Sequence, residues 1–298
     1  MKRRIIVAVI LIVAAFFVGR QVKRFKSADA GEASRHETRR SYRLDPGARV
    51  EVKGINGSVE INTAETDTAD VQVTYGGGGQ EDLEGVRVVV EHTPSELVVR
   101  GEGKGNNFWR WLRGAGSVRV AVVLTVPRHV SVAAKGVNGP VEVGEVAGSV
   151  EVSGVNGRAE LAGAGGRAEV TGVNGNVTLS LARLSGEGVE LKGVNGNVDV
   201  SFRSIVDADL EVRGHNGGML LNLPNVTMQE REGHSRMRAR FGAGGPQINV
   251  RGVNGNVRFE SEGAAGGATT NGLSALPPPP PPAPPAAPSA PRAVPPRP

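Results

Sequence analysis

The chain has 298 residues, 43 of them glycine, with no cysteine and only 4% aromatic residues, a composition that excludes a disulfide-held scaffold and any thiol nucleophile. The net charge of +5 is uneven: residues 1–43 carry eleven Lys/Arg against three acids and Pro277 onward adds two Arg, so residues 44–276 hold 22 basic against 27 acidic groups. A net acidic middle lacks the basic face that nucleic-acid binding requires, so no nucleic-acid partner is expected.

Residues 1–26 open with Lys2, Arg3 and Arg4, followed by an apolar run from Ile5 to Val18. The run is shorter than the roughly 20 residues of a spanning helix. It reads as an N-terminal hydrophobic helix, either a signal-peptide core or an uncleaved membrane anchor with basic residues at both ends. Ala28-Asp29-Ala30 has the small-x-small form of a cleavage site but follows Arg20, Lys23, Arg24 and Lys26. Residues 27–43 read as a polar, basic spacer that would sit against anionic lipid.

A folded domain is expected over residues 44–262. Leu44-Asp45-Pro46-Gly47 is a turn signal. Alternating strands follow at Val50 to Lys53, Val71 to Val73, Val86 to Val90, Leu97 to Val99 and Val118 to Val126, with the looser register of end coils that cap an open sheet edge. Between glycines, Asn107-Phe108-Trp109-Arg110-Trp111-Leu112-Arg113 holds both tryptophans of the chain. Phe108, Trp109, Arg110, Trp111 and Arg113 form the candidate contact site, through aromatic stacking on sugars or insertion into a headgroup layer. The alternative is a hydrophobic plug over one end of the domain.

From Gly136 to Ser180 the sequence divides into five nonapeptides: GVNGPVEVG, EVAGSVEVS, GVNGRAELA, GAGGRAEVT and GVNGNVTLS. Only the odd ones carry Asn-Gly, so the unit is eighteen residues with two similar halves, and a short fixed period marks a solenoid. Gly-x-Asn-Gly begins at Gly54, Gly136, Gly154, Gly172, Gly193, Gly214 and Gly252. The steps are 18, 18, 21 and 21 from Gly136 to Gly214, then 38, which reads as two coils of which one has lost its Asn-Gly.

Side chains two apart in a strand share a face. Val141 and Val143, Ala159 and Leu161, Val177 and Leu179, and Val198 and Val200 therefore point inward, with Glu142, Glu160, Thr178 and Asp199 between them pointing out. Asn-Gly tolerates positive φ, which makes Asn56, Asn138, Asn156, Asn174, Asn195, Asn216 and Asn254 structural turn residues. Like repeats stack best in register, which predicts an all-β, parallel β-helix of about 18–21 residues per coil rather than a hairpin meander. About eleven coils at about 4.8 Å each give a rod on the order of 50 Å, with an amide ladder along its Asn column.

The repeated Gly-Val-Asn-Gly-x-Val-x-Val, the opening Leu-Asp-Pro-Gly-Ala-Arg-Val-Glu-Val and the stretch Val-Pro-Arg-His-Val-Ser-Val-Ala-Ala-Lys-Gly-Val-Asn-Gly resemble the bacterial putative-adhesin family of β-strand repeat proteins. That family is a domain of unknown function similar to head GIN adhesin domains. The resemblance covers roughly residues 44–262, with Gly54-Ile55-Asn56-Gly57 as the GIN-like element. It implies a β-helical fold and an extracytoplasmic place, and it transfers no binding residue.

Beyond Gly214 the register loosens. Arg231, His234, Arg236, Arg238 and Arg240 read as a solvated basic face or a meeting place for an acidic partner, and Gln247 to Phe259 returns to the repeat. Residues 263–298 begin as a Gly/Ala linker and become Pro-rich, expected to be a disordered, extended tail.

Catalysis draws little support. The five histidines show no metal spacing. The Asp of the calcium β-roll repeat falls where this chain has Val or Ala, so no metal and no cofactor are expected. The outward acids form a column, and the basic column Lys53, Lys135, Lys192, Arg213 and Arg251 is available to offset it. The expected function is a non-enzymatic cell-envelope scaffold or adhesin-like binding module, held to the membrane by the N-terminal segment and meeting a glycan or an envelope protein. The alternatives are an envelope-stress accessory protein contacting a membrane signalling partner, and a solenoid carbohydrate-active enzyme.

Overall fold

Each repeat supplies one strand before its Asn-Gly and one after it, and equivalent strands of different repeats lie side by side. The computed structural model describes residues 36–77, 86–103, 118–232 and 236–261. The opening strands are β1 (His36–Arg43), β2 (Arg49–Ala64), β3 (Thr68–Gly76), β4 (Val86–Thr93), β5 (Glu96–Gly103) and β6 (Arg119–Pro127). The regular repeats follow as β7 (Ser131–Asn138) with β8 (Val141–Val143), β9 (Val150–Asn156) with β10 (Ala159–Leu161), β11 (Ala168–Asn174) with β12 (Val177–Leu181), and β13 (Val189–Asn195) with β14 (Val198–Phe202). The last six are β15 (Ala208–Arg213), β16 (Met219–Asn222), β17 (Val226–Glu232), β18 (Arg236–Phe241), β19 (Gln247–Asn254) and β20 (Val257–Ser261).

The fold is all-β and its strands are mostly parallel. In one sheet, here sheet A, the order is β1, β3, β6, the second half of β2, β8, β10, β12, β14, β20, β16. In sheet B it is β4, β5, the first half of β2, β7, β9, β11, β13, β19, β15, β18, β17. Every pair from β6 to β16 in sheet A and from β5 to β15 in sheet B is parallel, and from β7 to β14 the chain advances one strand spacing per turn. Antiparallel strands are confined to the ends: β1 and β3, β4, and β18 with β17. Outside the two sheets, an isolated bridge between Val146 and Ala164 marks the return side of the coil.

The inward columns hold as the alternation predicts. Val59, Val141, Ala159, Val177, Val198 and Val257 are buried, as are Ile61, Val143, Leu161, Leu179, Val200 and Phe259. Their rows continue into sheet B through Val50, Val132, Val150, Ala168, Val189 and Ile248. Each fully buried aliphatic side chain is worth about 1.5–3 kcal/mol, against a chain-entropy cost of similar size. Stacking is therefore what makes the narrow coil stable.

The sequence reading needs three corrections. The 38-residue step is not two coils. It contains the β17–β18 hairpin, and the last repeat, β19 and β20, then slots between β13/β14 and β15/β16. At the other end β2 slots in the same way between β5/β6 and β7/β8. Next, the described residues contain eight coil layers rather than eleven, but the antiparallel end strands restore a stack of about 50 Å. Finally, residues 36–43, assigned to the spacer because they are polar, are β1. They pair with β3 along their whole length, so the folded part includes His36–Arg43 and does not start at Leu44. The N-terminal hydrophobic helix, the rest of the spacer and the Pro-rich tail lie outside the described residues.

Candidate functional site

The seven Asn-Gly corners align in one column between the two sheets. Positive φ falls on the glycines rather than on Asn: Gly172, for example, has φ +65. A side chain on Gly175 would collide with the carbonyl oxygen of Gly157 in the layer beneath. The Asn side chains are thereby free to bond along the stack. Each amide nitrogen donates to the carbonyl oxygen of the next Asn, from Asn216 to Asn254, Asn195, Asn174, Asn156, Asn138 and Asn56, at 2.9–3.2 Å. Asn56 is buried and donates onward to the Val118 carbonyl. A shorter ladder runs beside it, in which Asn176, Asn197 and Asn256 accept from the backbone N–H of Asn197, Asn256 and Gly218. All seven residues assigned as turn positions are thus brought together, and their role is to lock the register.

The two outer faces differ in electrostatics. On sheet B the outward acids alternate with bases. Lys53 bonds Glu51, Lys135 and Arg49 both reach Glu151, Arg167 joins Glu169 and Glu190, and Arg213 with Arg238 holds Glu211. The hydrogen bond from Lys53 holds Glu51 below the usual carboxylate range. Burial pushes Glu151 up, but the bonds from Lys135 and Arg49 outweigh it and hold it low. Glu211 is held low by Arg213 and Arg238, and Asp209 by Arg240. Arg238 and Arg240 belong to the basic stretch beyond Gly214, so these two arginines of it are spent on ion pairs within the fold.

Sheet A carries the acidic column Glu60, Glu142, Glu160, Thr178 and Asp199, side by side in register. The basic column that seemed available to offset it lies on sheet B, beside a different set of acids. Two arginines intervene among the described residues: Arg158, 2.8 Å from Glu160 and 3.8 Å from Glu142, and Arg258, 3.8 Å from Asp199. Burial, then repulsion from Glu160 and Glu60, raises the Glu142 carboxyl above its ordinary value, with Arg158 opposing. Glu60, Glu142 and Glu160, with Asn62, Thr178 and Ser180, line a shallow groove of about 280 Å³. Composition alone could not assign these acids to a separate face, although the 18-residue spacing already stacks them. Among the described residues no group of three His, Cys, Asp or Glu is placed to hold a metal ion.

Phe108, Trp109, Arg110, Trp111 and Arg113 lie outside the described residues. The strands that bound them do not: β5 and β6 take the positions beside β2 that surround a Gly-x-Asn-Gly corner in other layers. The chain thus enters this segment from a strand of sheet B and leaves it into a strand of sheet A.

No family model matches the chain, and no curated protein matches it. Solved structures do. A putative cell adhesion protein from Clostridium sporogenes ATCC 15579 is 10% identical, with a TM-score of 0.38 and coverage of 76% of this chain and 100% of that one. A putative adhesin from Bacteroides fragilis NCTC 9343 is 11% identical, with a TM-score of 0.30, covering 76% and 97%. Another from Parabacteroides merdae ATCC 43184 is 12% identical, with a TM-score of 0.24, covering 75% and 95%. The family resemblance is to putative adhesins. At these identities no residue role passes from those proteins to this chain.

Proposed function

We propose that the chain is a non-enzymatic, cell-envelope scaffold or adhesin-like binding module, a rigid spacer that separates an attached end from a free one. The observation that carries this reading is the position of the chain ends in the stack. β1, which follows the N-terminal segment, is the outermost strand of sheet A at one end. β20, from which the tail leaves, is one strand from the opposite edge. The N-terminal segment would anchor the first end at the membrane, on the extracytoplasmic side, and the stack would hold the other end away from it. The neighbours named for adhesion agree with this reading, and the ligand would be a glycan or an envelope protein.

One observation favours the membrane-partner reading as a second possibility. The strands that bound the Trp segment sit at the same end as β1, with β6 separated from β1 only by β3. Trp109 and Trp111 would then meet lipid headgroups or a membrane signalling protein rather than a distant ligand. Glycan arrays and liposome co-sedimentation with the wild-type chain and a Trp109→Ala/Trp111→Ala variant separate the two. Glycan binding lost in the variant supports the first, and vesicle or membrane-protein binding lost in the variant supports the second. A polysaccharide cleaved by the wild-type chain would overturn the non-enzymatic reading.

A further inference from the structure

The amide ladder has two unlike ends. Asn56 is buried and bonded onward to the Val118 carbonyl. Asn216, at the other end, is exposed together with Gly217. The difference matters because Asn-Gly carries a chemistry of its own. Glycine has no side chain to shield its backbone nitrogen, which can attack the amide carbon of the Asn before it. The bond from glycine N to Asn Cγ forms and the Cγ–Nδ2 bond breaks. Ammonia leaves, taking up the proton that the glycine nitrogen gives up. Water then opens the cyclic imide to aspartate or isoaspartate.

Inside the stack both reacting groups are held. Gly157, Gly175, Gly196 and Gly255 each donate their N–H to the backbone carbonyl of the Asn in the next layer, at 2.9–3.1 Å. The side chains before them, Asn156, Asn174, Asn195 and Asn254, each donate to one neighbour in the ladder and accept from the other. Ring closure there requires the glycine to leave its acceptor and the amide to turn out of the ladder. Each such bond slows the reaction by up to about tenfold.

Asn216 escapes both restraints, because its corner is the last in the column. Among the described residues the Gly217 N–H has no acceptor and the Asn216 side-chain oxygen accepts from no amide. The side chain keeps the bond it donates to Asn254, at 3.2 Å. The backbone on either side is fixed: Asn216 N–H donates to the Val253 carbonyl, its carbonyl accepts from Gly255, and Gly218 N–H donates to the Asn256 side chain. The nucleophilic nitrogen is thus the free group between tethered ones, in an end layer that opens more readily than the middle.

We propose that Asn216 is a self-modification site, converted to aspartate or isoaspartate through Gly217 while the stack preserves the inner corners. The product replaces the donor to Asn254 by a carboxylate oxygen, and isoaspartate adds a backbone atom ahead of β16, so conversion unfastens β16 from β20. The inference is independent of the proposed envelope role. The test is peptide mapping by mass spectrometry of the full chain, aged in mildly alkaline buffer with mild detergent, folded and in urea. In the folded chain Asn216 should convert roughly tenfold or more faster than Asn156, Asn174, Asn195 and Asn254, and in urea the five should convert at comparable rates. Hydrogen exchange in β16 should quicken as the wild-type chain ages. It should not do so in Asn216→Gln, whose longer side chain closes the ring far more slowly. No lead for Asn216 in the folded chain, the same lead in urea, β16 exchange unchanged by conversion, or equal loosening in Asn216→Gln would each overturn the proposal.

Discussion

The side chain of Asn254 donates to Asn195, 59 residues earlier, and accepts from Asn216, so the last repeat lies inside the stack rather than at its tip. The first repeat is held in the same way, with β2 paired on both sides in each sheet. Both terminal repeats are thereby wedged between layers that the chain forms from other segments. An end repeat that merely capped the rod would be dispensable, and this one is not. Val257, buried between Val198 and Met219, should be as intolerant of Asp as a central position. Limited proteolysis of Val257→Asp should release fragments cut between residues 189 and 246, where the wild-type chain resists.

Val177 is completely buried in the middle of sheet A, between Ala159 and Val198. Val177→Asp places an unpaired carboxylate there and should cost more than about 4 kcal/mol, enough to unfold the middle of the rod. Glu142→Lys changes an outward side chain between two acids and should leave the fold intact. Thermal melts of the two variants by circular dichroism should differ by many degrees, and equal melting temperatures would sink the assignment of inner and outer faces.

The pH dependence of the two sheets should have opposite signs. The carboxyl of Glu142 is raised, so the folded state takes up its proton before the unfolded chain does. Its ionisation weighs against folding at neutral pH, and stability is gained as pH falls through its folded value toward the ordinary one. Glu51, Glu151 and Glu211 are lowered, so their contribution is complete above the ordinary carboxylate value and is lost as pH falls through their folded values. Stability of the wild-type chain should therefore rise slightly on mild acidification and fall in stronger acid. Chemical denaturation at a series of pH values should show the rise disappear in Glu142→Gln and the fall persist.

The inner columns were legible because a strand repeats every two residues and these repeats keep Val, Ala or Leu at the same two places in each unit. The parallel sense followed from the likeness of successive units, and the amide ladder from the fixed place of Asn in each. The order of the last layers was not legible. Gly214 and Gly252 begin equivalent corners, and nothing in either corner states which layer it must rest on. That choice is made by the β17–β18 hairpin, which occupies the sheet B edge of β15 and leaves the last repeat to insert beneath it. The role of His36 to Arg43 was hidden for a related reason. An end strand has water on its free edge and polar neighbours, so β1 looks like a spacer. The separation of the two charged faces also escaped the sequence reading. Adjacent positions in the unit can lie on different sheets, and spacing alone does not say which column of bases neighbours which column of acids.

The amide ladder should be worth more at its buried end than in its middle. Asn174 is exposed and links Asn195 to Asn156, so Asn174→Ala removes two hydrogen bonds whose groups can turn to water, at about 1 kcal/mol. Asn56 is buried, accepts from Asn138 and donates to the Val118 carbonyl at the strand that follows the Trp segment. Asn56→Ala removes two hydrogen bonds at a buried position and should cost more, about 1–3 kcal/mol. The loss should be local as well as larger, because Asn56 ties β2 to the start of β6. Denaturant melts of both variants, together with hydrogen exchange at Val120 and Val122, give the comparison. A cost for Asn56→Ala no greater than for Asn174→Ala, with unchanged exchange in β6, would show that the ladder acts only as a surface decoration.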